Sequence, residues 1–270
     1  MHAPGPRYRT TRRSTPRLTH FAVLASLSRR DRAGLIALLR VAVTIALVGD
    51  QNDAYPSHRE LDAARVMLGP DVVTEWMATD GDRVRDLSGS DGVWLTPGSP
   101  YVNDEAAYQA VRWARENDVP FLGTCGGLQY AVVEYFRNVL CVNGASHAES
   151  DGVGGSNVIR QLACSLQGQE RLVRPVPGTR FARLVDDEAF TGMHYCSYGP
   201  GPGELRRLTE AGMVIEATAD DAEAEVIELP AKRFFMLTLF QPQIGALAGK
   251  PLHPLLREFV RCARQHAARA

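Results

Sequence analysis

The chain has 270 residues, 45% hydrophobic and 23% charged, with 30 basic and 31 acidic side chains and a formal net charge of −1. That balance excludes a general nucleic-acid binder and a disordered chain, and the length suits one α/β domain with additions. The five cysteines (Cys125, Cys141, Cys164, Cys196 and Cys262) are odd in number and show no CxxC or Cys/His ligand spacing. No disulfide framework, metal site or cofactor is therefore expected, and a reducing cytoplasm is the compartment implied.

The opening "MHAPGPRYRTTRRSTPRL" is rich in arginine and proline, with no acid before Asp31. Residues 1–40 read as a basic leader, disordered or a start-site extension, with a basic docking arm as the alternative; the folded domain is expected over 41–270. "LIALLRVAVTIALVG" is broken by Arg40 and is too short to span a bilayer, so neither a signal peptide nor a membrane helix is expected.

From Val41 the punctuation is regular. "VAVTIALVGD" is an apolar, β-branched run ending in Gly-Asp, the pattern of a buried parallel strand. "SHRELDAARVML" has helical spacing, with Ser57 and Glu60 placed as a capping box. "VVTEWMAT" and "DGVWLTPGSP" read as strands, the second ending in a turn built on Pro97, Gly98 and Pro100. "DEAAYQAVRWAREND" is an amphipathic helix and "VPFLGT" a fourth strand. This alternation predicts a mostly parallel sheet covered by helices on both faces.

After Leu140 the pattern loosens. "HAESDGVGGSNV" reads as a glycine-rich loop, and "SLQGQERLVRPVPGTRFARL" as hairpin strands. "ELRRLTEAGMVIEAT" gives a helix and a strand, "AEVIELP" and "FFMLTLF" an antiparallel pair, and "HPLLREFVRCARQHA" a closing helix. An antiparallel addition in the C-terminal half follows. "GALAGKP" is no phosphate loop, because its spacing is short and proline follows the lysine.

The chemistry concentrates at "FLGTCGGLQ". Cys125 ends a predicted strand and precedes a helix whose free N–H groups would stabilise a thiolate. Gly123, Gly126 and Gly127 leave room for a tight turn and for close approach of a substrate. This is a nucleophile elbow with sulfur in place of oxygen. The other four cysteines, Cys196 among them, read as small hydrophobes.

"FLGTCGGLQYAVVEYFRNV" resembles the glutaminase motif of class I glutamine amidotransferases, whose fold is flavodoxin-like. Through Glu134, Arg137 and Asn138 it resembles the carboxy-terminal domain of CTP synthase and its stand-alone C-terminal-region-like relatives. The resemblance runs from about Val41 to His266. It implies that Cys125 is the nucleophile that forms a glutamyl thioester. It implies that the Gly98, Ser99 and Gly126 amides face the oxyanion, and that Gln129 and Glu149 hold the substrate's amino-acid end.

Two departures stand out. Where the family has Q-F-H-P-E, this chain reads "LFQPQ": Gln241 replaces the histidine base and Gln243 its glutamate, and an amide cannot shuttle a proton near neutral pH. Where family enzymes have an arginine-rich stretch that clamps the substrate carboxylate, "GMHYCSYGPG" places Ser197. His194 in that segment is a candidate base for Cys125 or a locally satisfied histidine, and His147 is a second candidate. His58, His253 and His266 read as loop or surface residues.

The expected function is a cysteine-nucleophile enzyme acting on a small amide or related C–N bond. Its substrate would be amide- or amino-acid-like, and neither nucleic acid nor membrane is an expected partner. One alternative is a glutaminase subunit that hands ammonia to a separate synthetase, linked to pyrimidine biosynthesis. The other is a catalytically silent binding or regulatory protein.

Overall fold

The computed structural model describes residues 42–151, 156–162, 165–220 and 222–269. The basic leader, Cys164 and the middle of the glycine-rich loop lie outside the described residues, as do the expectations placed on them.

Strands β1 (Val43–Val48), β2 (Val72–Met77), β3 (Gly92–Leu95) and β4 (Phe121–Thr124) pair in parallel in the order β2-β1-β3-β4. Helices α1 (Pro56–Met67) and α2 (Asp104–Glu116) make two of the crossovers between them. Side chains alternate across the pleat, which splits the apolar residues between two cores. Ile45, Leu47 and Trp94 face one core with Leu61 of α1 and Leu256 and Phe259 of the closing helix. Ala46, Val48 and Leu95 face the other, with Tyr108 of α2 and Leu128 of the helix after β4. Helices therefore cover both faces, as the alternation predicts.

Beyond β4 the sheet changes character. Helix α3 (Gly126–Asn138) follows β4, and a small sheet of β5 (Ser146–His147), β6 (Asn157–Gln161) and β9 (Tyr198–Pro200) stands beside it, with the short α4 (Ala148–Asp151) between β5 and β6. The main sheet continues through β12 (Phe235–Thr238), which pairs in parallel with β4. It then runs antiparallel through β11 (Ala222–Glu228), β10 (Val214–Ala219), β7 (Gln169–Pro175) and β8 (Phe190–His194). The antiparallel addition and the β11–β12 pair match expectation. Three local expectations fail. "HAESD", read as the start of a loop, ends β5 and forms α4. "RFARL" is the short helix α5 (Arg180–Leu184), capped by Thr179, and not a hairpin strand. Ser57 does not cap α1: Tyr55 holds that position with Pro56 following, and Glu60 instead accepts the Gly245 and Leu247 N–H groups. Helices α6 (Pro202–Glu210) and α7 (Pro254–Ala267) complete the fold. No described helix is long and apolar enough to cross a membrane.

Because β3, β4 and β12 are adjacent and parallel, the turns that leave them meet at one carboxyl edge of the sheet. In open α/β sheets that edge is where ligand sites form. The segments beginning at Thr96, Cys125 and Leu239 are brought together there.

Candidate functional site

Cys125 stands between β4 and α3 with φ +55° and ψ −111°, a backbone state costing about 1–3 kcal/mol for a non-glycine residue. Its N–H donates to Thr238 O (2.7 Å), and its carbonyl accepts the Leu128 (3.1 Å) and Gln129 (3.3 Å) N–H groups at the head of α3. The two following glycines are required sterically. A Cβ on Gly126 would sit 2.8 Å from Ser99 Cβ and 3.1 Å from Ser99 N, and one on Gly127 would sit 2.2 Å from Leu95 O. The turn Thr96–Ser99 is thus pressed against the start of α3, and Gly98 adopts φ +117° to allow it.

A histidine expected in a loop or at the surface braces this turn. His58 is instead fully buried. Its Nδ1 accepts the Asn52 N–H (2.9 Å), which leaves Nε2 to donate to Pro97 O (2.7 Å). Burial holds its pKa below the usual imidazole value, consistent with this neutral form.

Cys125 borders a cavity of about 210 Å³ together with Gly98, Ser99, Gln129, Glu149, Cys196 and Gln241. Its thiol is held below the ordinary thiol pKa, chiefly by the adjoining Cys196 thiol; burial opposes this, and the Gly126 N–H and the Gln241 side chain add to it. The contact with Cys125, together with burial, pushes Cys196 well up. Of the two, Cys125 is therefore the more acidic thiol. Its role was missed in the sequence because it lies 71 positions downstream in a segment without a recognisable motif.

The two glutamines form a chain. Gln243 Nε2 donates to Gln241 Oε1 (3.1 Å) and to Ser57 O (3.4 Å). With its oxygen occupied, Gln241 carries a buried amino group that has no hydrogen-bond partner, at the wall of the cavity that Cys125 borders. The position thus supplies a donor and no base.

Gln129 and Glu149 come together at Ser99. Ser99 Oγ lies 3.1 Å from Glu149 Oε2 and 3.3 Å from Gln129 Oε1, and Gln129 Nε2 donates to Tyr198 O (2.7 Å). His147 orients both: its Nε2 faces Gln129 Oε1 (3.0 Å) and its Nδ1 accepts the Glu149 N–H (3.1 Å). With both nitrogens engaged, His147 is not placed to take a proton from Cys125. Burial raises the Glu149 pKa against the Ser99 hydrogen bond. Ser197 borders the cavity and pairs with Ser165 Oγ (2.9 Å). Among the described residues no arginine or lysine lines this space.

His194 is corrected more sharply. It is fully buried at the end of β8, with Nδ1 3.1 Å from Gly192 O and Nε2 2.8 Å from Glu225 Oε2 on β11. Both nitrogens are used inside the sheet and the ring does not border the cavity, so His194 is a structural partner of Glu225 rather than a base for Cys125. His253 lies, as expected, in the loop before α7, where it is half-buried: its Nδ1 accepts the Leu255 N–H to cap α7, and burial lowers its pKa to about 4. Cys141 is exposed, contrary to its reading as a small hydrophobe. Among the described residues no cluster of three or more His, Cys, Asp or Glu is arranged to hold a metal ion.

The motif residues beyond the elbow anchor α3. Glu134 is fully buried and takes a two-pronged ion pair from Arg115 of α2 (2.6 and 3.0 Å), while Asn138 donates to Glu134 and Arg137 to Ala145 O.

Comparison with known proteins agrees with this architecture. Residues 53–235 match the family model "Glutamine amidotransferase class-I". CTP synthase of Pyrococcus furiosus is 34% identical over 248 residues, 84% of this chain and 46% of that protein. CTP synthase of Natronomonas pharaonis is 36% identical over 231 residues, 79% of this chain and 42% of that protein. The chain therefore spans about half the length of the curated relatives it matches. Among solved structures, the glutaminase domain of Trypanosoma brucei CTPS with bound acivicin superposes with a TM-score of 0.70 at 23% identity, covering 83% of this chain and 94% of that one. A glutamine amidotransferase from Thermotoga maritima gives 0.51 at 15% identity, covering 84% and 97%. The extent of the family match and the identity to the CTP synthases together show that the chain belongs to the class-I glutamine amidotransferase family.

Proposed function

We propose that the protein is a Cys125-dependent amidohydrolase of the glutaminase type that cleaves a small amide without a histidine base. One observation carries the reading: a backbone-strained, cavity-facing Cys125 whose thiol is depressed by three neutral donors, from Cys196, Gly126 and Gln241. The more the thiolate is favoured, the less its attack depends on a base. Its sulfur adds to the amide carbon, and the amides of Gly98, Ser99 and Gly126 are the donors nearest the developing oxyanion, worth a few kcal/mol each (~3). The C–N bond then breaks, the amine leaves with a proton from water, and the hydroxide so formed hydrolyses the thioester to a carboxylate and frees the thiol.

The lining argues for the kind of amide. Glu149 offers a carboxylate to a ligand ammonium, held in place by Ser99 and His147. No described cation is available for a ligand carboxylate, so an amino amide suits the site better than glutamine itself.

A second reading is a glutaminase subunit that delivers ammonia to a separate synthetase. It is favoured by the CTP synthase relatives, of which this chain spans about half.

The test is ammonia release from a panel of free and carboxyl-blocked amino amides, glutamine included, with acivicin as a covalent probe. Release from a blocked amide that disappears in Cys125→Ser supports the proposal. Release from glutamine alone shifts it to the second reading. An unlabelled Cys125 with no release from any amide leaves a silent binding protein.

A further inference from the structure

Two thiols meet at the wall of this cavity, and an amidohydrolase needs only one. Cys125 and Cys196 are each nearly buried, at 5% and 3% exposure, yet both face the same cavity. Each thiol is the leading influence on the other's acidity. Cys196 sits between β8 and β9, and the backbone around it is pinned: Leu166 N–H donates to its carbonyl (2.9 Å) and Gln167 Nε2 to Tyr195 O (2.6 Å). The cavity wall thus brings together two separately anchored segments, the elbow and the β8–β9 connection. Cys262 is the internal contrast. It is also buried, but it lies on α7 against Arg180 (3.3 Å) and borders no part of the cavity.

We infer that Cys125 and Cys196 form a redox-active pair that a small hydroperoxide converts into a reversible intramolecular disulfide, closing the nucleophile. The inference shares with the preceding section only the reactive thiol of Cys125 and is independent of the amide.

The chemistry balances in two steps. The Cys125 thiolate attacks one oxygen of the hydroperoxide; an S–O bond forms, the O–O bond breaks, and the departing alkoxide takes a proton to leave as an alcohol. Sulfur is oxidised by two electrons to the sulfenic acid and the peroxide is reduced. The Cys196 sulfur, giving up its proton, then attacks the sulfenyl sulfur; an S–S bond forms, the S–O bond breaks, and hydroxide leaves with that proton as water. The sum is two thiols plus one hydroperoxide giving one disulfide, one alcohol and one water. An external dithiol reverses it by thiol–disulfide exchange. A thiolate beside a protonated second thiol is the arrangement of a sensing cysteine with its resolving partner. The depressed Cys125 and raised Cys196 assign the two roles in that order.

The experiment treats the reduced full chain with one equivalent of hydrogen peroxide, blocks the remaining thiols and maps the peptides without reduction. A Cys125–Cys196 cross-linked peptide is expected, with Cys262 unmodified. Iodoacetamide labelling of Cys125 is expected to disappear after peroxide and to return fully with dithiothreitol. In Cys196→Ser the same treatment is expected to give a dimedone-trapped sulfenic acid at Cys125 that proceeds to the sulfinic acid. A wild-type map showing Cys125 as sulfinic acid without a cross-link overturns the inference. So does a cross-link of either cysteine to Cys164. Because the map needs only the wild-type protein, it does not depend on a variant folding. A cross-link without amide turnover keeps the pair and removes the amidohydrolase; turnover without a cross-link does the reverse.

Discussion

The turns leaving β3 and β4 differ in kind from the segment leaving β12, although the three strands lie side by side. The first two carry Gly98, Ser99, Cys125 and Gly126, and what sets them is main-chain geometry: a left-handed glycine and a strained cysteine packed with no room for added side chains. The third carries Gln241 and Gln243, and what it offers is side chain, an amide chain that donates and cannot exchange a proton. Main-chain donors survive changes of residue type so long as the backbone path holds. A proton-transfer pair depends wholly on residue identity. Under the proposed function, the comparison teaches that one edge of a sheet can keep its means of stabilising charge while lacking a means of moving protons.

The largest effect is expected where the backbone path itself is disturbed. Gly126→Ala puts a methyl group 2.8 Å from Ser99 Cβ, and displacing the aligned amide is expected to lower amide turnover about 10²–10³-fold, with kcat falling more than KM changes. Unchanged kcat would mean that the main-chain half is not the working half. Next, the double substitution Gln241→His with Gln243→Glu restores a base and its orienting carboxylate. If proton transfer limits turnover, a rise on the order of 10²-fold is expected in single-turnover thioester hydrolysis. No rise would show that the amide chain is no handicap.

Glu149→Gln is expected to raise KM for an amino amide roughly tenfold or more, the scale of losing one charge-assisted hydrogen bond, with a smaller change in kcat. An equal loss for a neutral amide would mean that Glu149 does not recognise an ammonium.

The smallest effect concerns the antiparallel half. Burial raises Glu216 of β10 to about 7 from 4.5, even though it accepts the Phe181 N–H (2.6 Å). The folded state therefore holds a proton that the unfolded chain releases between pH 4.5 and about 7. This contribution to stability is present below that window and is lost as pH rises through it. Glu216→Gln is expected to flatten that slope in urea titrations from pH 4 to 8 while leaving iodoacetamide labelling of Cys125 unchanged. An unaltered slope would remove Glu216 as the titrating group.

The local patterns were legible in the sequence. Apolar periodicity marks β1 to β4 and α1 to α3, and a cysteine between glycines at a strand–helix junction marks the elbow, because these are constraints a chain satisfies with its own neighbours. The absence of a base at Gln241 and Gln243 follows from residue type alone. What only the tertiary structure decided is which distant groups meet. It sends His194 inward to Glu225, sets His58 under the Pro97 turn and His147 against Gln129, and brings Cys196 to Cys125. Those placements depend on the pairing of β12 with β4 and on the path from β8 to β9, contacts between residues far apart in the chain. Spacing along a sequence constrains direction only over a turn or a strand, so no local signal tells a buried histidine from a catalytic one, or a core thiol from one that touches the nucleophile.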